Sequence, residues 1–146
     1  MLHHELYAFL KSQTVIFTAL GDRIYPVILP AGTLLPAGSQ VKDPAQARPA
    51  MVWRCIRRPG DNLDLAGESW NSVTVEFTVW GQTYSDIDTP ATAVLTTLVE
   101  LSKQDGITIG SLCVVAIALQ QEEDVFDEDV LVYGRQLTFE FVGVGL

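Results

Sequence analysis

The sequence predicts an α+β domain in which helices pack on one face of an antiparallel-rich sheet. Three observations carry that expectation. Val73, Val75, Phe77 and Val79 alternate with Thr74, Glu76, Thr78 and Trp80, a strict period of two. Ile87, Ala91, Val94, Leu95, Leu98 and Leu101 recur at helical spacing. Near the C-terminal end Leu137, Phe139 and Phe141 face one way while Gln136, Thr138 and Glu140 face the other. Together with the flanking segments, the order reads helix, strand, strand, helix, strand, strand. Strand pairs set between helices suit a sheet buried on one side only.

The elements follow in chain order. Residues 2–20 place Leu6, Phe9, Leu10, Ile16, Phe17 and Leu20 at a mostly helical period that ends at Gly21. The β-branched run Thr14-Val15-Ile16 weakens the second half, so a break is expected near Ser12. Between Gly21 and Pro49 lie five of the seven prolines, with Leu-Pro-Ala-Gly at 29–32 and again at 35–38. That composition predicts a long loop, centred on 27–47. A strand is expected over Ala50 to Ile56, stopped by Pro59-Gly60, and a loop over Asp61 to Asn71. Ser85 or Asp86 would cap the next helix, with Pro90 in its first turn and Gly106 beyond its end. Leu112 to Leu119 and Val130 to Val142 would close the chain as two strands, joined by an acidic turn.

The chain of 146 residues suits a single domain spanning 1–146. Eighteen acids against nine bases give a net charge of −9, which disfavours sequence-independent nucleic-acid binding. Charged residues are 18% and apolar ones 48%, a balance that suits a domain covering apolar surface with partner subunits. Cys55 and Cys113 fit no metal-ligand spacing, and their apolar neighbours predict buried thiols. The opening Met1-Leu2-His3-His4-Glu5 turns polar too early for a signal peptide. The apolar run Leu112 to Leu119 is far shorter than the ~20 residues that span a bilayer. A soluble protein made in a reducing cytoplasm, with no membrane contact, is the expectation.

Few constellations suggest chemistry. His3 and His4 are adjacent, so on a helix they point about 100° apart, whereas a helical two-histidine site needs a spacing of four. Glu122, Glu123, Asp124, Asp127, Glu128 and Asp129 set six carboxylates in eight positions. This run reads as a solvated acidic turn, with a weak cation site or an electrostatic docking surface as alternatives. A small metal-dependent enzyme would have to rest on it alone, and the glycine that bends an EF-hand loop is missing. Arg48, Arg54, Arg57 and Arg58 gather four of the nine basic residues; guanidinium forks suit an acidic partner surface, and scattered edge-strand charge is the plainer reading. No Gly-x-Ser-x-Gly, P-loop or dinucleotide fingerprint occurs, so no catalytic or cofactor-binding residue is expected.

One combination is more specific. A helix runs into Gly21-Asp22-Arg23-Ile24-Tyr25-Pro26, followed by Arg48-Pro49-Ala50-Met51-Val52-Trp53 and by a strand ending Val79-Trp80-Gly81. An amphipathic helix, a strand with an acidic exit and the terminal Leu137-Thr138-Phe139-Glu140-Phe141-Val142 complete it. Over nearly the whole chain this pattern resembles the tail-completion, or tail-terminator, family of long-tailed bacteriophages. The resemblance implies a structural virion protein, without catalytic residues, assembled in the host cytoplasm. It implies a ring, commonly a hexamer, on the head-proximal end of the tail tube. Such a ring ends tube polymerisation, meets the tail-tube protein and the head–tail connector, and lets DNA pass through it. A connector or tube subunit is the nearest alternative, and an adaptor binding a host protein is a third. The loop at 27–47 is longer than the family pattern has, and a neighbour, the tube and the connector are its candidate contacts.

Overall fold

A computed structural model describes residues 2–26, 29, 33–37, 39, 48–57 and 72–143. The first apolar period forms two helices, α1 (Leu2–Ser12) and α2 (Thr14–Leu20), parted at Gln13. Gln13 is extended (φ −80°, ψ 115°), and the Ser12 hydroxyl donates to the Phe9 carbonyl at 2.7 Å. The break thus falls where the β-branched run begins. Gly21, at φ +58°, ends α2 in a conformation that favours glycine, with its N–H on the Phe17 carbonyl at 2.7 Å.

The expected long loop opens with a strand, β1 (Ile24–Pro26), which runs parallel to β2 (Ala50–Arg57). Three residues ending in proline show no alternation to read, and pairing with Met51–Trp53 together with burial of Ile24 holds them. Much of 27–47, and the expected loop 61–71, lie outside the described residues. β3 (Ser72–Gly81) pairs antiparallel with β2 and sets Trp53 opposite Phe77.

Helix α3 spans Tyr84–Ser102, and its cap is Thr83 rather than Ser85 or Asp86. Thr83 leaves β3 extended (φ −126°, ψ 159°), so its hydroxyl accepts from Asp86 N, while the Asp86 carboxylate accepts from Thr83 N at 3.2 Å. This reciprocal pair satisfies two N–H groups that begin the helix. Because the helix starts earlier, Pro90 sits in its second turn instead of its first. There its ring lies buried, and the Asp86 carbonyl loses a helical donor.

A small hairpin follows, β4 (Ile107–Ile109) with β5 (Leu112–Val114), turning at Gly110 (φ +61°). The chain then enters β6 (Ala116–Asp127) and returns as β7 (Val132–Val142). Here the structure corrects two expected boundaries. The apolar run breaks at Val115, and the strand continues through most of the acidic segment, leaving the turn to residues 128–131. The sheet order β1-β2-β3-β7-β6 explains why. As an edge strand, β6 is solvated along its side, so carboxylates are tolerated without an alternating apolar pattern. The same order makes β2 an inner strand over Met51–Trp53, where an edge was expected.

The three described helices all pack on one face of the sheet. Val75, Phe77 and Val79 of β3 and Leu137, Phe139 and Phe141 of β7 meet Leu6, Leu10, Ile16, Leu20, Ile87, Val94 and Leu98 in one dry core. Phe77 and Phe139 face each other edge-on at 6.1 Å. The α+β architecture is the expected one. The thiols are not buried: Cys113 points outward from the middle of β5, and Cys55 lies exposed beyond Trp53 on β2. Among the described residues no helix is long and apolar enough to cross a membrane.

A candidate assembly surface on the two flanks of the sheet

Pairing registers can be followed across four strands, with one shift in β6 between Leu119 and Gln121. Met51, Val79, Arg135 and Asp124 share one row; Trp53, Phe77, Leu137 and Glu122 share another, and Arg54, Glu76, Thr138 and Gln121 share the next. The arginine-bearing strand therefore stands three strand spacings, about 14 Å, from the acidic one. The sheet has a basic flank and an acidic flank.

On the basic flank, Arg54 Nε donates to Glu76 on β3 at 2.6 Å, with its guanidinium still half in solvent. Arg48 is exposed just before β2, and its charge adds to burial in lowering the pKa of neighbouring Arg23. Arg57 ends β2 opposite Val73, in the row of Phe141 and Ile117; Arg58 lies outside the described residues.

On the acidic flank, strand alternation divides the carboxylates. Glu122 and Asp124 project to the helix side, Glu123 and Asp127 to the other face. That division opposes gathering them round a cation, and among the described residues no group of three His, Cys, Asp or Glu could hold a metal ion. Asp127 instead accepts the backbone N–H groups of Asp129 (2.9 Å) and Val130 (3.3 Å), fixing the turn. Glu128 and Asp129 remain exposed at its tip. At the other end of the chain, the Glu5 carboxylate accepts from the Ser111 hydroxyl at 3.0 Å and from Ser111 N at 3.4 Å, so it ties α1 to the β4–β5 turn.

A residue the sequence reading passed over organises this flank. Arg135 is 12% exposed, and its Nε donates to Asp124 at 2.7 Å while Nη1 donates to Asp88 of α3 at 2.7 Å. Its Nη2 donates to the Tyr84 hydroxyl at 3.1 Å, and that hydroxyl donates to the second Asp124 oxygen. The guanidinium and the Tyr84 hydroxyl hold the Asp124 carboxyl below the usual carboxylate range, and Asp124 in turn raises the Arg135 pKa. The only sequence signal was a charge in an alternation whose neighbours Leu137, Phe139 and Phe141 are buried. Arg135 occupies the same face.

Exposed apolar side chains crowd the acidic flank: Leu119, Phe126, Val130 and Leu131, with Tyr84 beside them. Phe126 and Tyr133 rings lie 4.9 Å apart. On the helix-free face a depression of about 520 Å³ runs between the flanks, with Val52, Arg54, Trp80, Asp127, Val130 and Val132 among its lining residues. Gly134 lies under Trp80: a Cβ there would come within 2.7 Å of the indole, so only glycine lets that ring lie flat on β7. What the geometry offers is two oppositely charged flanks and an apolar rim.

No family model matches the chain, and no curated protein sequence matches it. Among solved structures, a chain of one described as "Virion of native gene transfer agent (GTA) particle" aligns with a TM-score of 0.65 at 15% identity. The alignment covers 99% of this chain and 95% of that one. The two chains share a fold.

Proposed function

We propose that the protein is a structural component of a tailed phage or phage-like virion. Within it, the chain caps the head-proximal end of the tail tube as a ring, a hexamer by the family resemblance. It is built into the virion tail during assembly in the host cytoplasm. The observation that carries this reading is the shared fold, along 99% of the chain, with a protein of a virion particle. The capping role itself is supported by the resemblance of the Gly21–Pro26 and Val79–Gly81 segments to the tail-terminator family. Physically, a heterologous contact whose rotation closes makes a ring and stops, whereas one that does not close makes a filament. A closed ring on an open tube therefore ends growth and presents a new face to the connector, with DNA passing through its centre.

A connector or tube subunit would share the virion setting, and assembly behaviour separates them. Particles made without this protein are expected to carry tails of irregular, often excessive length that fail to join heads. Electron microscopy of such lysates reads the outcome, and normal-length tails joined to heads would exclude the capping role. Indefinite filaments of the purified protein would identify a tube subunit instead.

A further inference from the structure

We propose that the β6 edge and β6–β7 turn of one copy dock on the β1–β2 flank of a second copy, with Glu122, Glu123 and Glu128 facing Arg48 and Arg54. The docking surface is an unpartnered sheet edge: β6 ends the sheet among the described residues, and Leu119, Phe126, Val130 and Leu131 are exposed along it. Contiguous exposed apolar groups with a polar rim mark interaction surfaces. Charge decides the occupant. Among the described residues the β6–β7 flank carries one cation, Arg135, already engaged by Asp124 and Asp88. The acids around it are therefore left to an outside partner. Arg23, Arg48, Arg54 and Arg57 all belong to the opposite flank of the same sheet. The two flanks of one copy are about 14 Å apart, so at about 0.15 M salt, where the Debye length is about 8 Å, they neutralise each other weakly. A second copy brings them into contact.

Register selects the arginines. A rotation about an axis parallel to the strands moves one flank against the other without changing its level. Arg54 and Glu123 share the helix-free face two rows apart, and Arg48, at a bend just before Ala50, lies at the end of the sheet that carries the β6–β7 turn. Arg57 lies four residues, about 13 Å, past the level of Glu122. Arg48 and Arg54 are thus better placed than Arg57 to meet the acids. The contact deepens the capping reading, because a ring needs a contact between copies, but its surfaces are chosen by the charge layout alone.

The test uses two full-length variants, one carrying Glu122→Lys, Glu123→Lys and Glu128→Lys, the other Arg48→Glu and Arg54→Glu. Sedimentation is measured at about 0.01 M salt, where the Debye length is about 30 Å, and thermal unfolding checks that both variants fold. Wild type is expected to self-associate, and each variant alone to do so at least about tenfold more weakly. An equal mixture is expected to regain assembly, because alternating copies place Lys against Glu at one contact and acid against Arg at the next. Variants that assemble as wild type, a mixture that stays dissociated, or a wild type that does not self-associate at low salt would each overturn the pairing. Capping of purified tail tubes by the same wild-type chain is read separately. A chain that caps tubes yet ignores both charge reversals keeps its function and loses this contact.

Discussion

The two edges of the sheet are each stapled to a helix by an arginine, and the staples differ in kind. At the β1 edge, Arg23 donates to backbone carbonyls, Pro49 at 2.8 Å and Ala19 at 3.4 Å. At the β6 side, Arg135 donates to the carboxylates of Asp124 and Asp88 and to a phenol. Carbonyl acceptors cannot be protonated in the ordinary pH range; carboxylates can. The β1 edge is short, ends in Pro26 and is held by neutral acceptors. The β6 edge is long, acidic and held by titratable ones. Edge strands are guarded in both manners, by brevity and proline or by charge. Only the second is stapled through groups that change charge as pH falls.

Breaking the shared core should have the largest effect, because both edges depend on it. Phe139 is 1% exposed and meets Phe77 edge-on. Phe139→Ala should cost about 3–5 kcal/mol of unfolding free energy by denaturant titration. Hydrogen exchange should show β6 released more than β1, since β7 is the strand that β6 pairs with.

Exchanging each staple for an apolar residue sharpens the contrast directly. Arg135→Met and Arg23→Met should each cost about 1–2 kcal/mol near neutral pH. Their acid dependence should differ. The lowered folded-state pKa of Asp124 contributes stability that is present above its ordinary value of 3.8 and lost as pH falls through the folded value. In Arg135→Met the main cause of that lowering is gone, so this contribution to the acid slope should flatten, while Arg23→Met should keep the wild-type slope. Equal slopes in the two variants, from melting between pH 2 and pH 6, would remove the distinction between the edges.

The smallest expected effect comes from the cap that aims α3 at the acidic flank. Thr83→Ala removes the hydroxyl acceptor for Asp86 N and should cost about 1 kcal/mol in thermal unfolding. It should loosen Tyr84 and Asp88, in the first turns of α3, and leave β1 unchanged. Hydrogen exchange in β1 rising as much as in the first turns of α3 would mean that the helix supports both edges alike.

Local periodicity alone determined a good deal of this protein. The alternation in β3 and β7, the helical repeat of α3 and the break between α1 and α2 all follow from which residues lie two, three or four positions apart. Those patterns are written by a dry core, and the core here has one wet side. Wherever the chain leaves the core, periodicity falls silent. The acidic part of β6 carries no alternation because neither of its faces is dry, and β1 is too short to show one. The cap at Thr83 rather than Ser85 depends on where β3 lets go of the chain. Only the tertiary structure set Arg48 and Arg54 on one flank and the carboxylates on the other, because strand order is a property of non-local pairing. The same pairing turned Arg135 inward, where two carboxylates and a phenol offset the cost of burying its charge.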